Sequence, residues 1–151
     1  MGAVIGWDRQ LAGVQLVALD SMAFIYHFEA HPGYCPLTRI LFSRIEEGAL
    51  RGCTSVLTLC EVLTGARKAG YEALAALYQR ALSLMPNLTV HPIDQATAVL
   101  AADLRAEVGL RTPDALQVAC AINSGAGAFI TNDARLRRVP SLQVLVLADY
   151  A

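Results

Sequence analysis

Short apolar runs alternate along the chain with longer segments in which apolar residues recur every three or four positions. Val14 to Leu19 is almost wholly apolar and ends at Asp20, which is typical of a strand buried on both faces. Leu37 to Leu50 places apolar residues on one helical face and charged residues on the other, and this pattern predicts an amphipathic helix. Cys53 to Val56 predicts a second strand, and the helix predicted after it carries Glu61.

The alternation continues to the end of the chain. Tyr71 to Met85 has helical spacing, and Leu88 to His91 predicts a third strand. Asp94 is well placed to cap a helix that ends at Gly109. The remaining predicted elements are a helix with Thr112 as N-cap and Pro113 as first helical residue that runs to about Ile122, and strands at Ala128 to Thr131 and Val144 to Leu147.

This order of elements predicts the fold class. Strands and helices that alternate with short connections form a parallel sheet covered by helices on both faces. We therefore expect a single three-layer α/β/α domain with a short, mainly parallel central sheet. The sequence shows no internal repeat, low-complexity segment or linker that divides it.

Composition narrows the class of protein. The 151 residues are 55% hydrophobic and 17% charged, with a mean hydropathy of +0.43, which excludes a disordered chain. The longest uncharged stretch, Ala115 to Asn132, contains polar residues and glycines, so it predicts a helix, a turn and a strand and no membrane span. Asp8 and Arg9 interrupt any signal-type region, so we expect a cytoplasmic protein. The four cysteines lack CxxC spacing and are expected to be buried free thiols.

Four acidic residues lie at the ends of predicted elements. Asp20 directly follows the first strand, and Asp133 follows the strand ending at Thr131 by two positions. Asp114 lies in the first turn of its helix, and Glu61 lies early in the helix after the second strand. Because sites in open parallel sheets lie beyond the carboxyl ends of the strands, these four acids can converge on one edge.

Converging carboxylates repel one another, and a divalent cation relieves that repulsion. Oxygen ligands with few imidazoles or thiolates nearby suit Mg²⁺ or Mn²⁺, and such an ion can activate water for attack on a phosphodiester. Three of the four acids also have a plainer interpretation: Asp114 can favour the positive end of its helix, Asp133 can be a turn residue, and Glu61 can be a solvated helical residue. Asp20 is harder to explain in this way, because apolar residues both precede and follow it. The residues alone therefore support a metal-binding α/β domain, with phosphate esters as one class of substrate.

Four motifs in this order resemble those of the PIN-domain ribonucleases, in particular the VapC-type toxins of toxin-antitoxin pairs. The motifs are Leu19 to Ser21, Leu59 to Gly65, Arg111 to Leu116, and Ile130 to Asp133. The resemblance runs from about Leu16 to the C-terminus. It implies a PIN-like nuclease domain at residues 16–151 and an N-terminal extension at residues 1–15.

The resemblance also implies roles for single residues. It implies a quartet of acids that hold Mg²⁺ or Mn²⁺, namely Asp20, Glu61, Asp114 and Asp133. Ser21 matches a hydroxyl residue beside the first acid, and Thr131 or Asn132 matches a polar residue that supports the last one. The implied activity is metal-dependent hydrolysis of RNA by a homodimer, controlled by a small antitoxin that inserts a segment near the acidic pocket.

Arginines flank the motifs and predict where RNA phosphates bind. Eleven of the 12 basic residues are arginine, which favours bidentate phosphate contacts. We expect a basic rim around the acidic pocket whose contacts weaken as salt rises, formed by Arg111, Arg135, Arg137 and Arg138. The net charge of −1 does not oppose RNA binding once four acids are assigned to a cation site.

Other interpretations stay open on the sequence alone. The domain can instead be a catalytically weak PIN-fold scaffold or RNA-binding module. Phosphotransfer of the response-regulator type is weaker, because it needs a late lysine and Lys68 is the only lysine. His27 and His31 are expected in a solvated loop and not in a zinc site, since the proline after His31 disfavours a helix there. Asp103 can be a supporting acid of the site, but its motif match is weaker, which favours a surface or helix-pairing role.

Overall fold

Five strands form the central sheet of the computed structural model, which describes residues 2–151. The strands are β1 (Leu16–Leu19), β2 (Arg51–Ser55), β3 (Leu88–His91), β4 (Ala128–Thr131) and β5 (Val144–Val146). They lie in the order β3-β2-β1-β4-β5, and every neighbouring pair is parallel. The predicted parallel sheet is confirmed, and the carboxyl ends of its strands share one edge.

Seven helices cover the two faces of this sheet in the described part of the chain. They are α1 (Gly2–Ala12), α2 (Ser21–Phe28), α3 (Cys35–Glu46), α4 (Val56–Lys68), α5 (Glu72–Leu84), α6 (Gln95–Val108) and α7 (Thr112–Asn123). Short 3₁₀ helices follow at Ala134–Arg138 and Leu147–Asp149. Within residues 2–151, none of the helices has the length and apolar composition that crossing a membrane requires.

Side chains alternate across β1 and so divide the core into two layers. Val17 and Leu19 pack with the buried residues of α1 to α5, whereas Ala18 packs on the other face with those of α6 and α7. The three-layer α/β/α architecture is therefore confirmed. The strand β1 is the central strand of the sheet and ends at Leu19. Asp20 directly follows it and therefore lies in the middle of the edge formed by the carboxyl ends of the strands.

Helix ends confirm one predicted cap and correct two boundaries. Asp94 caps α6 by accepting a hydrogen bond from the Thr97 backbone N–H at 2.8 Å, and Gly109 ends that helix at φ +79°. The second strand ends at Ser55, whose hydroxyl caps α4, so Val56 is helical and the predicted strand end is wrong. Thr112 is also helical and Arg111 takes the cap position, so the predicted Thr112 cap is wrong.

The sequence interpretation did not predict the first two helices. Trp7 of α1 is fully buried and its indole N–H donates to the Leu37 carbonyl at 2.9 Å, so α1 packs on the domain. Helix α2 contains His27, which is half-buried against Phe42 with ring centroids 4.5 Å apart. The expected solvated loop is therefore wrong for His27, whereas His31 does lie in an exposed loop.

Two minor expectations concern the cysteines and Asp103. The four cysteines are free thiols, but only Cys35, Cys53 and Cys120 are buried, so the expected burial is wrong for Cys60, which lies on the exposed side of α4. Asp103 is exposed on α6.

Candidate active site

Asp20 is held at the carboxyl edge of β1 by groups from both sides. Its backbone N–H donates to the Ile130 carbonyl at 3.0 Å, which continues the pairing of β1 with β4. Its Oδ1 accepts the Ser21 N–H at 2.7 Å as the N-cap of α2, and its Oδ2 accepts the Thr131 hydroxyl at 2.8 Å. Both carboxylate oxygens are therefore fixed in place.

Ser21 joins two of the acids. Its Oγ lies 3.1 Å from Oε2 of Glu61 and 3.3 Å from Oδ1 of Asp20. A hydroxyl has one hydrogen to donate, so it serves one carboxylate at a time. The contact brings α4, which carries Glu61, to the start of α2.

A cleft of about 410 Å³ lies between α4 and α7, with Asp20 at its floor. Glu61 and Asp114 face it from the two helices, together with Arg111 and Gln117. Arg111 Nε lies 3.5 Å from Oδ2 of Asp114, but the arginine side chain is 74% exposed, so this pair is a weak constraint. The structure thus brings three of the four predicted acids to one cleft.

Burial has the largest effect on the carboxylates of this cleft, and repulsion between them has a smaller effect. Burial raises the pKa of Asp20 above its usual value, and the negative charge of Asp114 adds to this, although the hydrogen bonds from Thr131 and Ser21 oppose it. The pKa of Glu61 is also raised, first by burial of its cleft side and then by Asp20 and Asp114, against the Ser21 hydrogen bond. The three carboxylates therefore sense one another's charge, and a cation among them would relieve the repulsion.

Asp133 lies in a smaller cavity of about 40 Å³ that it shares with Asp114. Its carboxylate accepts two hydrogen bonds from Arg135, at 3.0 Å from Nε and 2.7 Å from Nη2. These bonds, first among the causes, lower the pKa of Asp133. The backbone N–H of Asp133 donates to the Thr131 hydroxyl at 3.1 Å, so that hydroxyl bridges Asp20 and Asp133.

The carboxylates of the site have the chemistry that Mg²⁺ or Mn²⁺ prefers, but they do not lie close enough together to form a complete metal site. Among residues 2–151, no three His, Cys, Asp or Glu side chains stand close enough to form a metal cluster as they are. The acids of the site offer only carboxylate oxygens, which hard divalent cations prefer. Mg²⁺ commonly binds through one or two carboxylates and keeps several waters, so a closed cage is not required.

The other predicted residues take different places. Asn132 does not contact an acid of the cleft: its Nδ2 donates to the Tyr26 hydroxyl at 3.2 Å, and its Oδ1 accepts the Ala148 N–H at 3.0 Å. Arg137 pairs with Asp149. Arg138 Nε donates to the Arg135 carbonyl at 3.1 Å. Three of the four predicted arginines line the acidic cavities, namely Arg111, Arg135 and Arg138, whereas Arg137 does not.

Gln117 is a site residue that the sequence interpretation missed. It is 5% exposed and lines the floor of the cleft. Its Oε1 accepts the Ser55 hydroxyl at 2.7 Å, and its Nε2 donates to the Thr58 hydroxyl at 2.8 Å. A signal was available, because Gln117 lies three residues after Asp114, on the same helical face, within an otherwise apolar run.

Comparisons with known proteins agree with this architecture. The PIN domain family model matches residues 17–142. A chain in the crystal structure of VapBC2 from Rickettsia felis bound to a promoter DNA fragment is similar in fold, with a TM-score of 0.71 and 19% identity over 87% of this chain and 98% of that chain.

Two further solved structures are similar in fold. DNA-bound VapBC from Salmonella typhimurium matches with a TM-score of 0.69 and 22% identity over 88% of this chain and 98% of that chain. A chain in a toxin-antitoxin complex from Klebsiella pneumoniae matches with a TM-score of 0.66 and 23% identity, over 87% of this chain and 97% of that chain. Comparison with curated proteins finds no significant match.

Proposed function

Because the chain belongs to the PIN domain family, we propose that it is a metal-dependent endoribonuclease and the toxin of a toxin-antitoxin pair. One observation carries the proposal: Asp20, Glu61 and Asp114 come from three separate elements and face one cleft at the carboxyl edge of the sheet. A protein with no cation to bind gains nothing from holding three repelling carboxylates there.

The residues that would hold Mg²⁺ or Mn²⁺ are Asp20, Glu61, Asp114 and Asp133. When bound, such a cation supplies activation of a water for attack on the phosphodiester and charge stabilisation at the leaving oxygen. Thr131 and Ser21 fix the orientation of the Asp20 carboxylate by hydrogen bonds. Ser21 also donates toward Glu61, at 3.1 Å, and so positions that carboxylate at the edge of the cleft.

The arginines beside the cleft are suited to bind the substrate. Arg111 and Arg135 are mostly exposed, at 74% and 64%, and each lies against an acid of the site. An RNA phosphate can replace that carboxylate as the partner of the guanidinium once a cation has taken the carboxylate. Arg137 and Arg138 extend the same surface and are proposed as further phosphate contacts.

Partners are proposed from the structural neighbours. Solved structures of similar fold are described as VapBC or toxin-antitoxin complexes, which supports a small antitoxin as the partner of this chain. A homodimer is proposed from the same resemblance. We also propose that the protein acts in the cytoplasm, because RNA is its proposed substrate.

A second function is an RNA-binding module of the same fold with weak or no turnover. The specific observation in its favour is that two of the acids form ion pairs with arginines: Asp133 with Arg135, and Asp114 with Arg111. If those pairs persist with RNA bound, fewer carboxylates are available to hold a cation.

RNA cleavage by the purified protein separates these functions. We expect cleavage of a labelled RNA with Mn²⁺, none with EDTA, and none with Asp20→Asn or Asp114→Asn. Asp103→Asn is the matched control, because Asp103 is an exposed acid on α6 outside the cleft. Cleavage that persists in EDTA or in both cleft variants contradicts the metal mechanism, and RNA binding without cleavage in any divalent cation supports the binding module.

A further inference from the structure

Three rings contact one another beside the carboxyl edge of the sheet, and we call Tyr26, His31 and Tyr34 the aromatic cluster. His31 lies nearly parallel to Tyr34, with an interplanar angle of 23° and centroids 4.8 Å apart. Tyr26 lies 4.6 Å from Tyr34 and 5.0 Å from His31. His31 is exposed, and both tyrosines are partly exposed.

Backbone hydrogen bonds hold the loop that carries the exposed ring. The His31 N–H donates to the Tyr26 carbonyl at 2.9 Å, and the His31 carbonyl accepts the Cys35 N–H at 2.8 Å. Ala30 adopts φ +52°, a left-handed conformation that is unfavourable for alanine. The ring of His31 is therefore held in a defined position relative to the tyrosines even though it is exposed.

A hydrogen bond also fixes the chemical form of the imidazole. The Gly33 backbone N–H donates to Nδ1 of His31 at 3.1 Å, so Nδ1 is the acceptor and Nε2 carries the proton in the neutral ring. The ring of Tyr26 is tilted by 36° from Tyr34 and by 60° from His31. The aromatic cluster thus offers the exposed ring of His31, backed by Tyr34, with a donor at its edge.

The aromatic cluster is connected to the acidic cleft. The Tyr26 hydroxyl accepts a hydrogen bond from Asn132, whose neighbours along the chain are Thr131 and Asp133 of the site. Helix α2 begins at the Asp20 cap and reaches the cluster within its eight residues, a length of about 12 Å. One continuous single strand of RNA is therefore long enough to contact both places.

We propose that the aromatic cluster is a stacking platform for an unpaired nucleobase of the RNA substrate. The inference rests on the proposed ribonuclease function and specifies its substrate as single-stranded at this position. Proteins that bind single-stranded RNA stack unpaired bases on aromatic and histidine rings, whereas bases in a duplex are not available for such contacts. The Nε2–H of His31 can add a hydrogen bond to an acceptor on the base edge.

Hydrogen bonds connect the aromatic cluster to the segment that carries an ion pair. The Ala148 N–H donates to Asn132, the residue that also contacts Tyr26. The next residue after Ala148 is Asp149, which pairs with Arg137. Arg137 can contact a phosphate of the bound strand if that phosphate replaces Asp149 as the partner of the guanidinium.

Binding of a fluorescein-labelled single-stranded RNA in EDTA tests the platform without cleavage. We expect His31→Ala and Tyr34→Ala to bind roughly tenfold more weakly, the size usual for loss of one base stack. Tyr34→Phe keeps the ring and is expected to bind like the wild type. His31→Phe keeps a ring but loses the imidazole hydrogen bonds, so we expect its binding to lie between that of His31→Ala and that of the wild type. A fluorescent purine analogue in the strand should be quenched by the wild type and by the ring-keeping variants, and not by His31→Ala.

Controls separate stacking from damage to the fold. His91→Ala removes a histidine from β3, at the opposite edge strand, and should leave binding unchanged. Circular dichroism checks that each variant is folded, and His31→Ala provides the main test because His31 is exposed. A fully paired RNA duplex should bind the wild type and His31→Ala equally.

The outcomes distinguish this proposal from the one on which it rests. If the wild type neither binds nor cleaves RNA, both proposals fail. If the wild type cleaves RNA and His31→Ala and Tyr34→Ala bind the single strand as tightly as it does, only the stacking platform is overturned. It is also overturned if those variants change only the oligomeric state or binding of a protein partner.

Discussion

Gln117 of α7 accepts a hydrogen bond from the Ser55 hydroxyl across 62 positions of the chain, at 2.7 Å. Ser55 is the N-cap of α4, so this bond ties the start of α4 to the middle of α7. Glu61 and Asp114 lie on these two helices, and the distance between their carboxylates depends on how the helices pack. A buried polar contact beneath the cleft therefore positions two acids of the proposed site.

Replacement of Gln117 by leucine should destabilise the protein. We expect Gln117→Leu to lower the free energy of unfolding by about 1–3 kcal/mol, because the buried hydroxyl groups of Ser55 and Thr58 each lose a partner. Urea denaturation followed by circular dichroism measures the change. Gln79→Leu, on the exposed face of α5, is the control and should stay within about 0.5 kcal/mol. Equal midpoints for the two variants would contradict the role assigned to Gln117.

Loss of the Asp114 charge should have opposite effects with and without a divalent cation. In EDTA, Asp114→Asn should be at least as stable as the wild type, since it removes repulsion from Asp20 and Glu61 and breaks only a weak surface pair. Mn²⁺ at about 100 times its dissociation constant should stabilise the wild type by about 2.7 kcal/mol and the variant by much less.

Thermal unfolding at several Mn²⁺ concentrations measures this difference, with Asp103→Asn as the control acid. Stabilisation of Asp114→Asn by Mn²⁺ that equals that of the wild type would show that Asp114 does not help to hold the cation.

Removal of the Arg135 side chain should lower the affinity for RNA and make that affinity less dependent on salt concentration. If Arg135 contacts one phosphate, Arg135→Ala should reduce the slope of log K against log salt by about 0.7 for a single strand. Fluorescence anisotropy between low and moderate salt gives the slope. Arg80→Ala, an exposed arginine on α5, should leave it unchanged. An unaltered slope for Arg135→Ala would exclude this arginine from the phosphate contacts.

Acid should weaken the cap of α6. The Thr97 N–H and hydroxyl donate to the Asp94 carboxylate and lower its pKa below the usual 3.8. A carboxyl group whose pKa is lower in the folded state stabilises the fold above 3.8, and this contribution is lost as the pH falls through the lowered pKa. Asparagine caps a helix as well as aspartate does but does not titrate.

As the pH falls below 3.8, the free energy of unfolding of the wild type should therefore decrease more than that of Asp94→Asn. Urea midpoints of the two proteins at matched pH values measure it. A difference that does not change with pH would mean that Asp94 titrates alike in the folded and unfolded states.

Truncation of Trp7 should show that α1 is part of the folded domain. Trp7 is fully buried, contacts Tyr150 with ring centroids 5.2 Å apart, and donates to the Leu37 carbonyl. We expect Trp7→Ala to lower the free energy of unfolding by about 3–5 kcal/mol, as is usual for loss of a large buried ring. Ile5→Ala, at a position 55% exposed, should change it by less than about 0.5 kcal/mol. Similar effects of both variants in urea denaturation would indicate that α1 contributes little to the core.

The sequence by itself determined the order of strands and helices after residue 13, except for α2, and the acids at their ends. Those features depend on local spacing: apolar runs such as Val14 to Leu19 need two covered faces, and Asp94 and Gly109 mark helix ends by their own chemistry. Parallel pairing then follows from the alternation of elements, so Asp20 was assigned to the carboxyl edge before any contact was known.

Only the tertiary structure decided which of these groups meet. The Ser21 hydroxyl contacts Glu61, which lies 40 residues later in the chain, and Arg135 donates hydrogen bonds to the Asp133 carboxylate. Trp7 finds its acceptor at Leu37, 30 residues away, which is why local periodicity could not show that α1 belongs to the core. Such contacts depend on how whole elements pack, and the pattern within one element carries no information about the side chain that another element brings to it.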